Sequence, residues 1–270
     1  MARSTVYNDI VSDELYEKVN PDNKELLEEF IEYLYSTDKS ELTIINYESD
    51  IKICFVWCLQ YNKNKFFIDF TKRDIMKYQN WLLNKLHLSS SRVRRLRSAI
   101  SSMSNFIENI LDDDFPNFRN IVNKIPAPPN QPVREKTVFE DEDIDELLRL
   151  LVEDKQYQEA CALALAVSSG SRKSELTRFK VDYFKEENIK FGALYKTPEK
   201  MKTKGRGSGG KMLHRWVLVN NFQPYLDLWL KEREKLGIDN EYLFVVKRKG
   251  KWIRAKTFKL DSWAIRVNEV

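Results

Sequence analysis

The sequence predicts a mainly α-helical protein with a small antiparallel sheet, built as an all-helical domain followed by an α+β domain. Three observations predict it. The chain has 270 residues, more than one domain usually holds. It has only eight Gly and eight Pro, and 42% of its residues are hydrophobic, a balance that suits packed helices and argues against disorder. Four of the prolines, Pro126, Pro128, Pro129 and Pro132, crowd one short stretch that cannot be helical. That stretch reads as an extended linker over 126–136, between a helical domain at 1–125 and an α+β domain at 137–270.

Periodicity supplies the elements. Leu26, Leu27, Phe30, Ile31 and Leu34 make one apolar stripe of a helix over 23–35. Ser40 precedes a second helix, with Leu42, Ile45, Ile53 and Val56 expected inward. Thr71 reads as the N-cap of a third, with Asp74 in the capping-box position and Ile75, Tyr78, Leu82 and Leu83 on its apolar side. A fourth helix is expected from Ser89–Ser91 to about Ile110. Beyond the linker, an acidic-started helix runs from Glu140 to Val152, and a more buried one from Tyr157 to Ser168. Strands are expected at 188–194 and 215–219, separated by a loop holding Gly205, Gly207, Gly209 and Gly210. A helix from Phe222 to Leu236 and a strand at 242–246 follow.

Net charge is +4, too small to imply a nucleic-acid partner by itself. Its distribution says more, because basic residues crowd 92–97, 196–215 and 247–259, whereas acidic ones crowd 22–32 and 140–154. Cys54, Cys58 and Cys161 are an odd set, expected as reduced core residues. A metal site would need more ligands than two histidines, His87 and His214, can add, so neither a metal nor another cofactor is expected. No apolar run approaches the ~20 residues that span a bilayer. With no leader-like N-terminus, the expected location is the cytosol.

Three segments carry candidate chemistry. In Gly170-Ser171-Arg172-Lys173-Ser174-Glu175-Leu176, a Gly ends one helix, an Arg sits in the turn and a second helix begins. Arg172 held there can aim its fork at a phosphate, or can pair with Glu175. Lys200 to Gly207, leading into Arg215-Trp216-Val217, reads as a hairpin with a positive tip, or as a solvated loop. In 91–97, Val93 and Leu96 face inward with Ile100 and Met103, leaving Arg92, Arg94 and Arg95 outward. That face either contacts phosphates or is only the exposed side of a helix.

The order of these features resembles the tyrosine recombinases, the phage integrase family, over roughly 23–270. The first domain is similar to their core-binding domain, with Ser40, Thr43, Tyr47 and Asp50 spaced along the second helix and Phe70-Thr71 leading to Asp74-Ile75. Residues 170–176 resemble the family's first box. The resemblance implies that Arg172 clamps the scissile phosphate, that Glu175 braces the turn, and that Lys204, or else Lys202, protonates the leaving 5′ oxygen. It implies duplex DNA as the partner, gripped in a C-shaped clamp. The expected contacts are Arg92, Arg94, Arg95 and Arg97 in the helical domain, with Lys202, Arg206, Lys211, Lys247, Arg248, Lys249 and Lys251 in the second. Self-association on DNA is a further expectation.

The resemblance stops short of a full catalytic set. His214 is followed by Arg215-Trp216-Val217 and His87 by Leu88-Ser89-Ser90, so neither forms the family's His-x-x-Arg box. Tyr225 and Tyr242 precede the place of that box and read as packing residues, so no nucleophile is nominated. The α+β domain is therefore expected to be incomplete at its C-terminus, its last helix-patterned stretch (260–270) ending without a cap. Two accounts stand: an interrupted or degenerate recombinase, or a non-catalytic regulator on a recombinase scaffold. A helical interaction protein with no DNA role is the third, from a different class.

Overall fold

Local capping signals set the helices of the computed structural model, which describes residues 6–130 and 138–256 apart from Arg206 and Ser208. The chain divides into two compact units, Met1–Lys136 and Thr137–Val270, each with its own apolar core. Expectations for Pro132, for the rest of the linker at 131–136, for Lys259 and for the helix-patterned 260–270 lie outside the described residues.

The first unit is helical among its described residues. Two short helices that periodicity does not reveal, α1 (Val6–Ile10) and α2 (Asp13–Glu17), precede α3 (Pro21–Ser36). The Asn20 side chain caps α3, Pro21 occupies its first turn, and Leu26, Leu27, Phe30 and Leu34 are buried. Ser40 caps α4 (Glu41–Tyr61), whose second half is buried nearly all round, from Ile53 to Cys58. That makes α4 the central helix, and each large side chain it buries contributes about 1.5–3 kcal/mol. Thr71 and Asp74 form the expected reciprocal capping box on α5 (Lys72–Asn80). The chain then widens by one residue per turn over Trp81–Lys85. Ser89 caps α6 (Ser90–Ile110), which buries Val93, Leu96, Ile100, Met103 and Ile107 against the same core.

In the second unit, α7 (Asp141–Glu153) and α8 (Tyr157–Ser169) pack together. Gly170, left-handed at φ 57°, closes α8, and α9 (Lys173–Leu176) starts almost at once. The expected strand at 188–194 is in fact a hairpin. β1 (Ile189–Lys190) and β2 (Leu194–Lys196) are joined through Phe191 and Gly192 at φ 55° and 67°, so the apolar run hides a tight turn. The 3-stranded sheet is ordered β1-β2-β5 and antiparallel, where β5 is Trp216–Leu218, and Tyr195 and Val217 face the core. Between β2 and β5 the chain makes a separate two-stranded hairpin, β3 (Met201–Thr203) with β4 (Lys211–Leu213). A long helix, α10 (Val219–Lys235), packs across α8. Another hairpin, β6 (Val245–Arg248) with β7 (Lys251–Arg254), turns at Lys249 and Gly250, so the basic stretch that begins at 247 is strand and tight turn up to Arg254. Arg233 and Trp229 of α10 donate to the carbonyls of Asn240, Tyr242 and Leu243, tying the approach to β6 onto the helix.

Among the described residues, no helix is long and apolar enough to cross a membrane.

Candidate functional site

A charged cluster in the second unit forms around Glu175, whose side chain is 1% exposed. A carboxylate that deep must be paired and hydrogen-bonded, and this one is, from three directions. Its Oε2 accepts the Arg172 backbone N–H at 3.3 Å and the Arg215 guanidinium at 2.5 Å. Its Oε1 accepts Arg172 Nη1 at 3.2 Å and the Lys204 backbone N–H at 3.4 Å. Burial alone pushes the Glu175 carboxyl up, but the Arg172 N–H, the Arg215 charge and the other donors outweigh it and hold the group below the ordinary glutamate range. Arg215 also donates from Nε to Ser171 Oγ at 3.3 Å, so one guanidinium bridges both sides of the turn that carries Arg172.

The local fold explains the convergence. Gly170 ends α8 in a conformation other residues adopt at a cost, and Arg172 takes the N-cap position of α9. One turn later α9 places Glu175 beneath the Arg172 backbone, as in a capping box. Arg178 just beyond α9 donates to the Lys202 carbonyl, which fastens β3 to the same turn. Arg215 arrives from the residue before β5, where its N–H bonds Thr197 Oγ1 at 3.0 Å. The Arg172 side chain is 60% exposed and that of Arg215 18%.

Lys204 lies at the end of β3 and is exposed, with its backbone on Glu175. Lys202 and Lys211 are exposed on the paired strands β3 and β4. Arg206 lies outside the described residues. Lys247, Arg248, Lys249 and Lys251 surround the β6–β7 turn, all exposed, with Lys247 Nζ 5.5 Å from the centroid of the Trp252 ring. Tyr225 packs against the second core, and Arg254 covers the Tyr242 ring.

A second buried carboxylate organises the first unit. Asp50 of α4, 2% exposed in its side chain, pairs through Oδ1 with Arg92 at 2.7 Å and through Oδ2 with Arg95 at 3.3 Å. Arg95 also donates to Asn46 Oδ1 at 2.6 Å, and Arg94 to the Pro128 carbonyl at 2.8 Å. Arg94 and Arg95 are exposed and Arg92 is half-buried. Arg97 corrects the expectation of a fourth surface arginine. It is 6% exposed and donates to the carbonyls of Val122 and Ile125 and to Gln79, so its donors are spent inside the unit. The sequence held a signal for this: Arg97 follows Val93 by four residues and precedes Ile100 by three, which places it on the inward stripe itself.

Sequence reasoning missed Arg215, for which no local pattern exists. Its carboxylate partner is 40 residues away in the chain.

Comparison with known proteins gives concordant findings. The family described as phage integrase, N-terminal SAM-like domain, matches residues 26–117. Over 257 residues the chain is 29% identical to the SPbeta prophage-derived recombinase-like protein YomM of Bacillus subtilis (strain 168), which covers 94% of this chain and 73% of that protein. Among solved structures it is similar to the Tn1549 transposon integrase in complex with circular intermediate DNA, with a TM-score of 0.66 at 14% identity over 92% of this chain and 78% of that one. It is also similar to a lambda integrase dimer bound to a core site, with a TM-score of 0.59 at 16% identity over 91% and 80% of the two chains. At such identities the solved structures speak for the fold. Residues 26–117 thus match a phage integrase N-terminal domain, the chain is similar over most of its length to a recombinase-like prophage protein, and it shares its fold with solved integrases.

Proposed function

We propose that this chain binds duplex DNA in a sequence-specific manner, as part of DNA integration or recombination, and that its 270 residues bind without cutting. The observation that carries the reading is the Arg172 turn: an exposed guanidinium on a rigid turn whose backbone is fixed to a buried carboxylate. Such an arginine meets a phosphate with little freedom left to lose. Arg94 and Arg95 on α6 and the lysines around the β6–β7 turn would add phosphate contacts. Lys204, with Lys202 beside it on β3, would stand near the bond that a complete recombinase breaks. Solved relatives described as bound to DNA support the partner.

The sequence has two histidines, neither within a His-x-x-Arg pattern, and no tyrosine assigned as nucleophile. Without a second box arginine and an attacking group, a pentavalent phosphate is poorly neutralised and never forms.

The test is a titration of a short labelled duplex from about 50 to 200 mM salt, where each phosphate contact contributes roughly 0.9 to the slope of log affinity against log salt. Arg94→Ala or Arg95→Ala should weaken binding to all sequences alike and flatten that slope. No binding at about 150 mM salt sinks the DNA reading and leaves a helical interaction protein. A covalent adduct with a nicked duplex sinks the non-cutting part alone. Footprints over inverted repeats at the ends of a mobile element are expected; protection confined to promoters would assign a regulator instead.

A further inference from the structure

We propose that Arg215 is a positioning residue: it neutralises Glu175, so that the charge of Arg172 stays available to a phosphate. The inference deepens the reading of Arg172 as a phosphate contact and rests on it.

The argument is one of charge. Glu175 is buried and bonded by two arginines, Arg172 at 3.2 Å and Arg215 at 2.5 Å. One carboxylate with two guanidinium groups leaves a net single positive charge, and the more exposed of the two partners, Arg172, carries it outward. Were Arg215 absent, Arg172 and Glu175 would close into a neutral pair. A buried carboxylate attracts its remaining cation more strongly when no other shares it, and an arginine drawn fully onto Glu175 is lost to DNA. Both outcomes open to a Gly-x-Arg-x-x-Glu turn, an ion pair or a phosphate clamp, are thus decided by a residue 40 positions away.

Geometry supports a role for the fork as well as the charge. Arg215 uses two separate donors, Nη2 on Glu175 and Nε on Ser171 Oγ, and so holds the carboxylate and the turn at once. On the other carboxylate oxygen, the Lys204 N–H fixes the foot of the β3–β4 hairpin. Movement of Glu175 would therefore disturb two of the phosphate-directed residues of this unit, Arg172 and Lys204, together.

The test is a double-mutant cycle on the full chain, with Arg172→Ala, Arg215→Gln, both together, and Arg215→Lys. Affinity for a labelled duplex and its salt slope are measured on each variant, with its melting temperature. Arg172→Ala should weaken binding about tenfold, as expected for one charge-assisted contact, and lower the slope by roughly 0.9. Arg215→Gln should reproduce most of that loss, and the double variant should lose little more. Arg215→Lys, which keeps a cation by Glu175 with fewer fixed donors, should recover most of the affinity and of the salt slope that Arg215→Gln loses. It also serves if Arg215→Gln fails to fold. Additive losses overturn the inference, making Arg215 an independent contact. A lysine variant that recovers the melting temperature but none of the affinity also overturns it, because a cation beside Glu175 then does not free Arg172. If Arg172→Ala binds as tightly as the parent, the phosphate reading itself falls, and the inference with it.

Discussion

Replacing Arg97 by Ala separates an arginine that builds the fold from one that meets DNA. In the folded chain Arg97 donates to the Val122 carbonyl at 2.9 Å and to the Ile125 carbonyl at 2.6 Å, and also bonds Gln79. Truncation takes these donors from the Ile125 carbonyl and the Gln79 amide oxygen, both half-buried, and leaves the Val122 carbonyl with the Ile125 N–H alone. Each buried polar group so stranded costs about 1–3 kcal/mol, and water entering the space left by the side chain recovers part of it. The expected loss is about 2–5 kcal/mol, a large share of the roughly 5–15 kcal/mol that holds a domain together. Urea unfolding followed by circular dichroism and tryptophan fluorescence reads it, since Trp57 and Trp81 lie in this unit. At low urea, where the variant is folded, the salt slope of DNA binding should match that of the parent. An unchanged unfolding midpoint together with a slope reduced by roughly 0.9 would refute the reasoning and return Arg97 to the surface.

Other outcomes follow from the same geometry. Gly170 and Gly210 are both left-handed, yet a Cβ meets nothing within 4 Å at the first and comes 2.4 Å from the Thr203 carbonyl at the second. Gly170→Ala should therefore cost about 1 kcal/mol of stability, whereas Gly210→Ala should open the β3–β4 hairpin, seen as faster amide exchange at Thr203 and Lys211. Glu175 has a lowered folded pKa, so its contribution is complete above the ordinary glutamate value of about 4.3 and is lost as the pH falls through the depressed value. Glu175→Gln should flatten that acid limb in melting temperature measured against pH; an unchanged limb would mean that the carboxylate is not charged in the folded chain. Asp50→Asn breaks a pair whose carboxylate is buried, and should cost about 3 kcal/mol, toward the low end for a buried pair because Arg95 is half exposed; urea unfolding measures it.

Helices were legible where burial and capping agree. Thr71 with Asp74, Ser40 and Ser89 announce helix starts because their side chains satisfy free N–H groups within three residues. The turn from Gly170 to Glu175 was equally legible as local structure, since its left-handed Gly, N-cap and capping carboxylate fall within six consecutive residues. What escaped was either too short or too distant. β1 and β2 were read as one strand because Phe191 continues an apolar pattern through a turn. A hairpin was one reading of the 200–215 segment, but its own strands β3 and β4 escaped because their lysines and flanking glycines resemble a loop. Arg97 was misplaced because charge overruled periodicity, although a long side chain can bury its stem and spend its donors on carbonyls. Arg215 and the partners of Asp50 depend on pairing across 40 or more residues, which no local window contains.

The two units reach the same electrostatic solution from different starting points. In the first, Asp50 on a helix takes Arg92 and Arg95 from a neighbouring helix; in the second, Glu175 takes Arg172 from its own turn and Arg215 from the start of a strand. Each arrangement buries one negative charge under two positive ones and shows the excess at the surface. A surface arginine without such backing loses side-chain entropy when it binds and is screened by salt before it does. An arginine anchored to an interior carboxylate has already lost much of that freedom on folding, at the risk of being neutralised by its anchor. The second arginine removes that risk. For a protein of modest net charge, +4 over 270 residues, the proposed attraction to a phosphate backbone would therefore depend less on the total than on which carboxylates are inside and how many cations share each.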